Sequence, residues 1–383
     1  MKSASNSDSI FMAILPLMIR GTGNASFHPV HRTVSFQHHA ASAAACRPFG
    51  HTYVRSARAP VNSIPCPVLA DLTLPAKNLF RAIANRAILW LIKNQEAALE
   101  VNGSYSRTAL ATASMRAAHQ VIDARPLILD DPLALRILGD NAADGIKNAL
   151  ERYQNPRGMA LRAHVVLRSR FCEDRLAEAV KNGVRRYLIL GAGFDTFALR
   201  QPEWARKLEI VEIDHPATQA EKRSRMARSG LATPDNLRFI PMDFQCDCLI
   251  QKLAKNGIHA DQPTFFSWLG VTMYLDGKTI DATLRALASF PAGSGVTLSF
   301  MQPLEPGHDG ERQELARRVA QNSEPFVSFF TPEDMEDALQ KAGFDAIHFL
   351  TPEEIGRRYF SSRPADLPRP RRVGILSAEK GTG

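Results

Sequence analysis

From Leu161 onward the chain alternates short apolar runs with helical stretches, and no other feature constrains the fold as strongly. The runs are Arg186–Leu190 (RYLIL), Leu208–Ile213 (LEIVEI), Leu237–Ile240, Thr264–Trp268 (TFFSW) and Val296–Phe300 (VTLSF). Each is short and rich in branched or aromatic residues, as a strand buried on both faces must be. Helical stretches lie between most of them, including Ala217–Ser229 and Lys278–Phe290. Repeated strand–helix succession predicts an α/β fold built on a doubly wound, mostly parallel sheet. A long helix, Ala163–Asn182, precedes the first strand, and Gly183 suits its left-handed cap. Beyond the fifth strand, Thr331-Pro332-Glu333-Asp334 reads as a helix start and Gly343 as its end. Phe344–Leu350 and Val373–Ala378 then add two strands, making seven, and residues 104–383 read as one domain. Upstream of the long helix lies a helical stretch, Ala109–Ala124. It leads into Arg125–Gly139, where Asp130-Asp131-Pro132 predicts a further helix start.

Residues 1–103 read as an extension. Residues 1–77 are of low complexity and 78–100 form a helix whose apolar stripe (Leu79, Phe80, Ile83, Ala87, Ile88, Leu91) packs on its own domain. The first 70 residues hold one acid, many Ser and Ala, and five of the eleven histidines, a composition that predicts disorder or translation from upstream of the true start. The alternative is a transit peptide, which would move the protein from the cytoplasm to an organelle. The net charge of +8 is concentrated here: ten Lys/Arg against four acids in residues 1–103 leave only +2 for the rest. A basic face for nucleic acid is therefore not expected. No apolar run approaches the roughly 18–20 residues of a membrane-spanning helix. The longest, Ile10–Ile19, contains a proline. Five scattered cysteines read as thiols, and Cys246-Asp247-Cys248 lacks the spacing of a structural zinc site.

The strongest local signal is Arg186–Arg200 (RYLILGAGFDTFALR), a strand running into Gly191-Ala192-Gly193. Glycines there allow the tight turn and close backbone approach to a ligand, and adjacent N–H groups can face negative charge. The third glycine of a dinucleotide fingerprint would fall at Thr196, so a pyrophosphate is not indicated. The next strand ends at Asp214, about 20 residues on, where a carboxylate can take both hydroxyls of a ribose. The third ends at Asp243-Phe244, a carboxylate for an adenine amino group beside a ring to pack on it. Together these favour an adenosine-type ligand without a diphosphate, and S-adenosylmethionine is the obvious candidate. The competing reading is that Asp214 and Asp243 merely cap turns.

Arg168–Asp174 (RSRFCED), LGAGFDTFALR, VEIDHP, PMDFQ and FFSWLGVTMYL occur in order, with RPLILDDPLALRILG upstream. This set resembles the S-adenosylmethionine-dependent O-methyltransferases of the leucine carboxyl methyltransferase type, over roughly residues 104–380, and is most similar to their polyketide-associated branch. The resemblance implies a class I methyltransferase (Rossmann-like) fold with a helical lid, formed by the helices before Arg186 and by segment 302–330. It implies that Arg168 holds the methionine carboxylate, Gly191 and Gly193 the methionine moiety, Asp214 the ribose, and Asp243 with Phe244 the adenine. Tyr274 would orient the substrate beside the transferred methyl. One departure stands out: many relatives carry an acid where this chain has Leu269. The expected reaction is methyl transfer to a carboxylate or hydroxyl oxygen of a small molecule. The alternatives are a non-catalytic methyltransferase-like binding protein and a nicotinamide-dependent oxidoreductase. The sequence specifies no oligomeric state.

Overall fold

A computed structural model of the chain describes residues 105–303, 326–370 and 373–381. The extension, the helix expected over 78–100 and most of the 302–330 lid segment lie outside the described residues. Seven strands form one sheet in the order β3-β2-β1-β4-β5-β7-β6. They are β1 (Arg186–Leu190), β2 (Glu209–Asp214), β3 (Leu237–Pro241), β4 (Thr264–Trp268), β5 (Gly295–Ser299), β6 (Ala346–Phe349) and β7 (Ile375–Glu379). β1 to β5 pair in parallel, whereas β7 runs antiparallel between β5 and β6. Seven mostly parallel strands is the expected architecture.

The apolar runs become central strands because both faces are covered. Every residue of β1, β4 and β5 is buried. Along β1 the side chains alternate between two cores, as the two-residue period requires. Leu188 and Leu190 join Val211, Ile213, Phe266 and Trp268 on one face. Tyr187 and Ile189 join Ile210 and Phe265 on the other, against Cys172 and Leu176. The first face is closed by helices α5 (Gly277–Ala288) and α6 (Pro332–Ala342), through Ile280, Leu284, Met335 and Leu339. The second is closed by α2 (Pro156–Lys181). Helices α3 (Pro216–Arg228) and α4 (Leu249–Lys255) complete the crossovers, and α1 (Arg107–Ile122) precedes α2.

Local signals explain the boundaries. α1 starts at Ser106, whose hydroxyl accepts the Ala109 N–H at 3.0 Å. α2 begins seven residues earlier than the apolar pattern suggests, because Asn155 caps Gly158 N–H at 2.9 Å and Pro156 takes the first turn. α6 carries a capping box, Thr331 with Asp334, and ends at Gly343 in the left-handed region (φ 109°). Among the described residues no helix is long and apolar enough to cross a membrane.

Candidate active site

The carboxyl ends of β1 to β4 open into a cavity of about 350 Å³. Strand order reverses between β1 and β4, and the crevice outside such a reversal is where open α/β sheets receive ligands. Arg168, Gly191, Gly193, Asp214, Asp243, Phe244 and Tyr274 all border this one space. α1 covers it from outside through Ser106, Thr108 and Thr112. The helices before β1 thus form part of the covering expected of them.

The turn after β1 is fixed by β2. The N–H groups of Gly191 and Ala192 donate to the Ile213 carbonyl at 2.8 and 3.2 Å. Gly191 has φ 67°, and a Cβ there would lie 2.3 Å from Val271 Cγ2. Both backbone and packing require glycine. Gly191→Ala is expected to destabilise the fold by about 2–4 kcal/mol, read from urea denaturation, because it combines a strained φ with overpacking. The Gly193 N–H donates to the Asp214 carboxylate, and the His215 N–H donates to its other oxygen at 2.6 Å. Burial pushes the Asp214 carboxyl up, and these two N–H groups pull it back. Each carboxylate oxygen keeps a second lone pair, so Asp214 can brace the turn and still accept two hydroxyls.

Asp243 also has two tasks. Its Oδ1 accepts the Gln245 N–H at 2.9 Å, a turn cap, while the side chain borders the cavity. Phe244 packs against the core beside it. Turn-capping and cavity-lining are therefore not exclusive here. His215 caps α3, accepting the Ala217 N–H at 3.3 Å. Tyr274 sits on a one-turn helix, Thr272–Tyr274, with Phe326 at a ring-centroid distance of 5.3 Å. Leu269, at the position of the missing acid, also borders the cavity and packs on the second core.

Arg168 is the unusual group. Its guanidinium has no hydrogen-bonding or ion-pair partner among the described residues, yet it is largely withdrawn from water. Burial pulls its pKa down to about 10, with Tyr274 and Asp195 opposing and Arg116 adding to the effect. Gly270 (φ 74°) makes room for it: a Cβ there would lie 2.7 Å from both terminal nitrogens. A cation largely withdrawn from water, with no hydrogen-bonded counter-charge among the described residues and facing a cavity, is suited to receive an anion there.

Three residues that sequence reasoning did not place in the site support it from beneath. Arg116 borders the cavity, donates to the Phe194 carbonyl at 2.6 Å and pairs with Asp131 at 2.9 Å. Asp131 is fully buried and also accepts the Thr196 hydroxyl at 2.6 Å and the Ala134 N–H at 3.1 Å. Arg200 adds an ion pair to Asp131 at 3.3 Å. The Asp-Pro segment thus starts a helix as expected (Leu133–Leu138) and holds the glycine turn as well. Thr196, where a dinucleotide site would need glycine, is committed to Asp131. A cation without a hydrogen-bonded partner among the described residues, a carboxylate with a spare lone pair on each oxygen, and a second carboxylate beside an aromatic ring border one cavity, a set of groups compatible with S-adenosylmethionine.

The leucine carboxyl methyltransferase family profile matches residues 109–288. A Bacillus subtilis protein, YktD, named for S-adenosyl-L-methionine-dependent methyl transfer, is 30% identical over 299 residues. That match spans 72% of this chain and 98% of the relative. A Mycobacterium avium protein with the same kind of name is 28% identical over 295 residues, spanning 70% of this chain and 92% of its own. A crystal structure from Thermobifida fusca, described by its methyltransferase likeness, aligns with a TM-score of 0.43 at 17% identity over 63% of this chain and 90% of its own. On the profile match and the full-length likeness to YktD, the chain belongs to the leucine carboxyl methyltransferase family of S-adenosylmethionine-dependent methyltransferases.

Proposed function

We propose that the cavity at the β1–β4 edge holds S-adenosylmethionine and passes its methyl group to a carboxylate or hydroxyl oxygen of a small molecule. The observation that carries this is the Arg168 guanidinium, without a hydrogen-bonding or ion-pair partner among the described residues, on the same cavity as Asp214 and the glycine turn. In this reading Arg168 binds the amino-acid carboxylate by a charge-assisted pair. Asp214 accepts the ribose hydroxyls, Asp243 accepts the adenine amino group, and Phe244 packs on the ring. The bound cofactor supplies a methyl already activated by its sulfonium. The chain's work is therefore alignment and exclusion of water, and a carboxylate acceptor needs no general base. Tyr274 orients the acceptor, while Leu269, Val271 and Leu275 give its end of the cavity an apolar wall. That wall, with no acid at Leu269, supports an acceptor with an apolar body, such as a polyketide-type acid or phenol.

The test is transfer of labelled methyl to a panel of small carboxylic acids and phenols. Label that is released by mild base marks an ester, and stable label marks an ether. Cofactor binding with no transfer to any acceptor would favour the non-catalytic reading.

A further inference from the structure

β2 carries Glu212 and Asp214 on the same face, two residues apart. Asp214 reaches the cavity, but Glu212 is 1% exposed beneath α3. There Lys222, equally buried, donates to Glu212 Oε2 at 2.5 Å. One turn earlier on α3, Thr218 borders the cavity and accepts the Ser106 N–H at 3.0 Å. Between them Gln219 donates to the Glu212 carbonyl at 3.3 Å. The inner face of α3 therefore runs from the cavity to the buried ion pair.

A buried ion pair is a poor device for simply docking a helix, since apolar residues of similar volume often do as well or better. This pair is also incomplete, because Glu212 Oε1 is buried with no hydrogen-bond partner. Its placement gives it another use. The charge of Lys222 acts on Asp214 as well as on Glu212.

We propose that Lys222, balanced by Glu212, is a positioning residue for the cofactor site, holding α3 on β2 and supplying buried positive charge behind Asp214. This rests on the reading of Asp214 as the ribose contact. Asp214 is faced by Lys222 from α3, by His215 beside it, by Glu212 from its own strand and by the Gly193 N–H from the turn after β1. Glu212 is faced by Lys222, by Asp195 from that same turn and by Asp214, with apolar Ile189 and Phe239 opposite it on β1 and β3. Burial pushes the Glu212 carboxyl up to about 7, against the pull of Lys222. Cofactor binding through an Asp214 carboxylate is lost as pH falls and that carboxylate takes a proton. Removing Lys222 raises the pH at which this happens.

The test is calorimetric titration of the full chain with S-adenosylmethionine from pH 4 to 9, using wild type, Asp214→Ala, Glu212→Gln and the double variant Lys222→Met/Glu212→Gln. The double variant removes both charges together and avoids stranding a buried carboxylate. The expected result is loss of binding in Asp214→Ala and retained binding in Glu212→Gln, whose carboxyl already takes up its proton near pH 7 in the wild type. In the double variant the midpoint moves upward relative to Glu212→Gln, with affinity near neutral pH about tenfold below that of Glu212→Gln. The same midpoint in the double variant as in Glu212→Gln, with Asp214→Ala still unable to bind, would overturn the positioning role. Wild-type binding in Asp214→Ala would instead overturn the assignment of Asp214 on which it rests.

Discussion

Asp131→Asn is expected to lower the unfolding free energy by about 3 kcal/mol, the lower part of the range for breaking one partner of a buried ion pair. The carboxylate is fully buried and receives Arg116, Arg200, Thr196 and a backbone N–H. Arg200 retains Glu173 when Asp131 is neutralised, but Arg116 keeps only the Phe194 carbonyl. The loss therefore falls on the guanidinium that ties α1 to the glycine turn, and cofactor affinity should fall with stability. The pH dependence follows from the same contacts. Burial pushes the Asp131 carboxyl up, but the two arginines and its hydrogen bonds outweigh it and hold it below the usual carboxylate value. A depressed carboxyl contributes stability above its unfolded pKa of about 3.9 and loses it as pH falls through the folded value. The gap between wild type and Asp131→Asn, measured by urea denaturation at several pH values, should therefore narrow below about pH 4. A gap independent of pH would assign the effect to packing.

Arg168→Met is expected to weaken S-adenosylmethionine binding about tenfold to a hundredfold, the loss of a hydrogen-bonded charge pair worth roughly 1.5–3 kcal/mol. The effect should be confined to ligands with the amino-acid carboxylate. Methylthioadenosine, which keeps adenine and ribose but lacks that carboxylate, should bind wild type and variant alike. Equal weakening of both ligands would mean that Arg168 shapes the cavity and does not hold the carboxylate. The ligand-free protein should respond in the opposite sense. A guanidinium that burial pulls down to about 10 is disfavoured in its charged form, so replacing it should raise the melting temperature. Loss of binding with gain of stability is the signature of a group kept for its ligand.

Much of this was legible in the residues, for reasons that can be named. β1 and β4 appear at their expected limits because a strand buried on both faces is apolar throughout, and Gly191 and Pro263 bracket them. The edge strand β6 is shorter than expected, four residues against seven, since the apolar Phe344 and Leu350 that suggested its ends are buried in the cores on either side of the paired segment. Residues at the carboxyl ends of β1, β2 and β3 could be aligned because a parallel sheet brings those ends together. Arg116 could not be foreseen: it lies on a helix that is buried on all sides around it, Met115–His119, and only the tertiary fold sets it against Asp131 and Phe194. Lys222 was hidden more completely. α3 reads PATQAEKRSRMAR, a strongly polar helix, and nothing local marks which of its cations turns inward to Glu212.

The most direct test of the central claim is a crystal structure of the chain with S-adenosylhomocysteine, the cofactor without its methyl. The ligand is expected in the β1–β4 cavity, its carboxylate on Arg168, its ribose hydroxyls on Asp214, and its adenine between Asp243 and Phe244. Density for the ligand elsewhere, or a ribose that leaves Asp214 uncontacted, would contradict it.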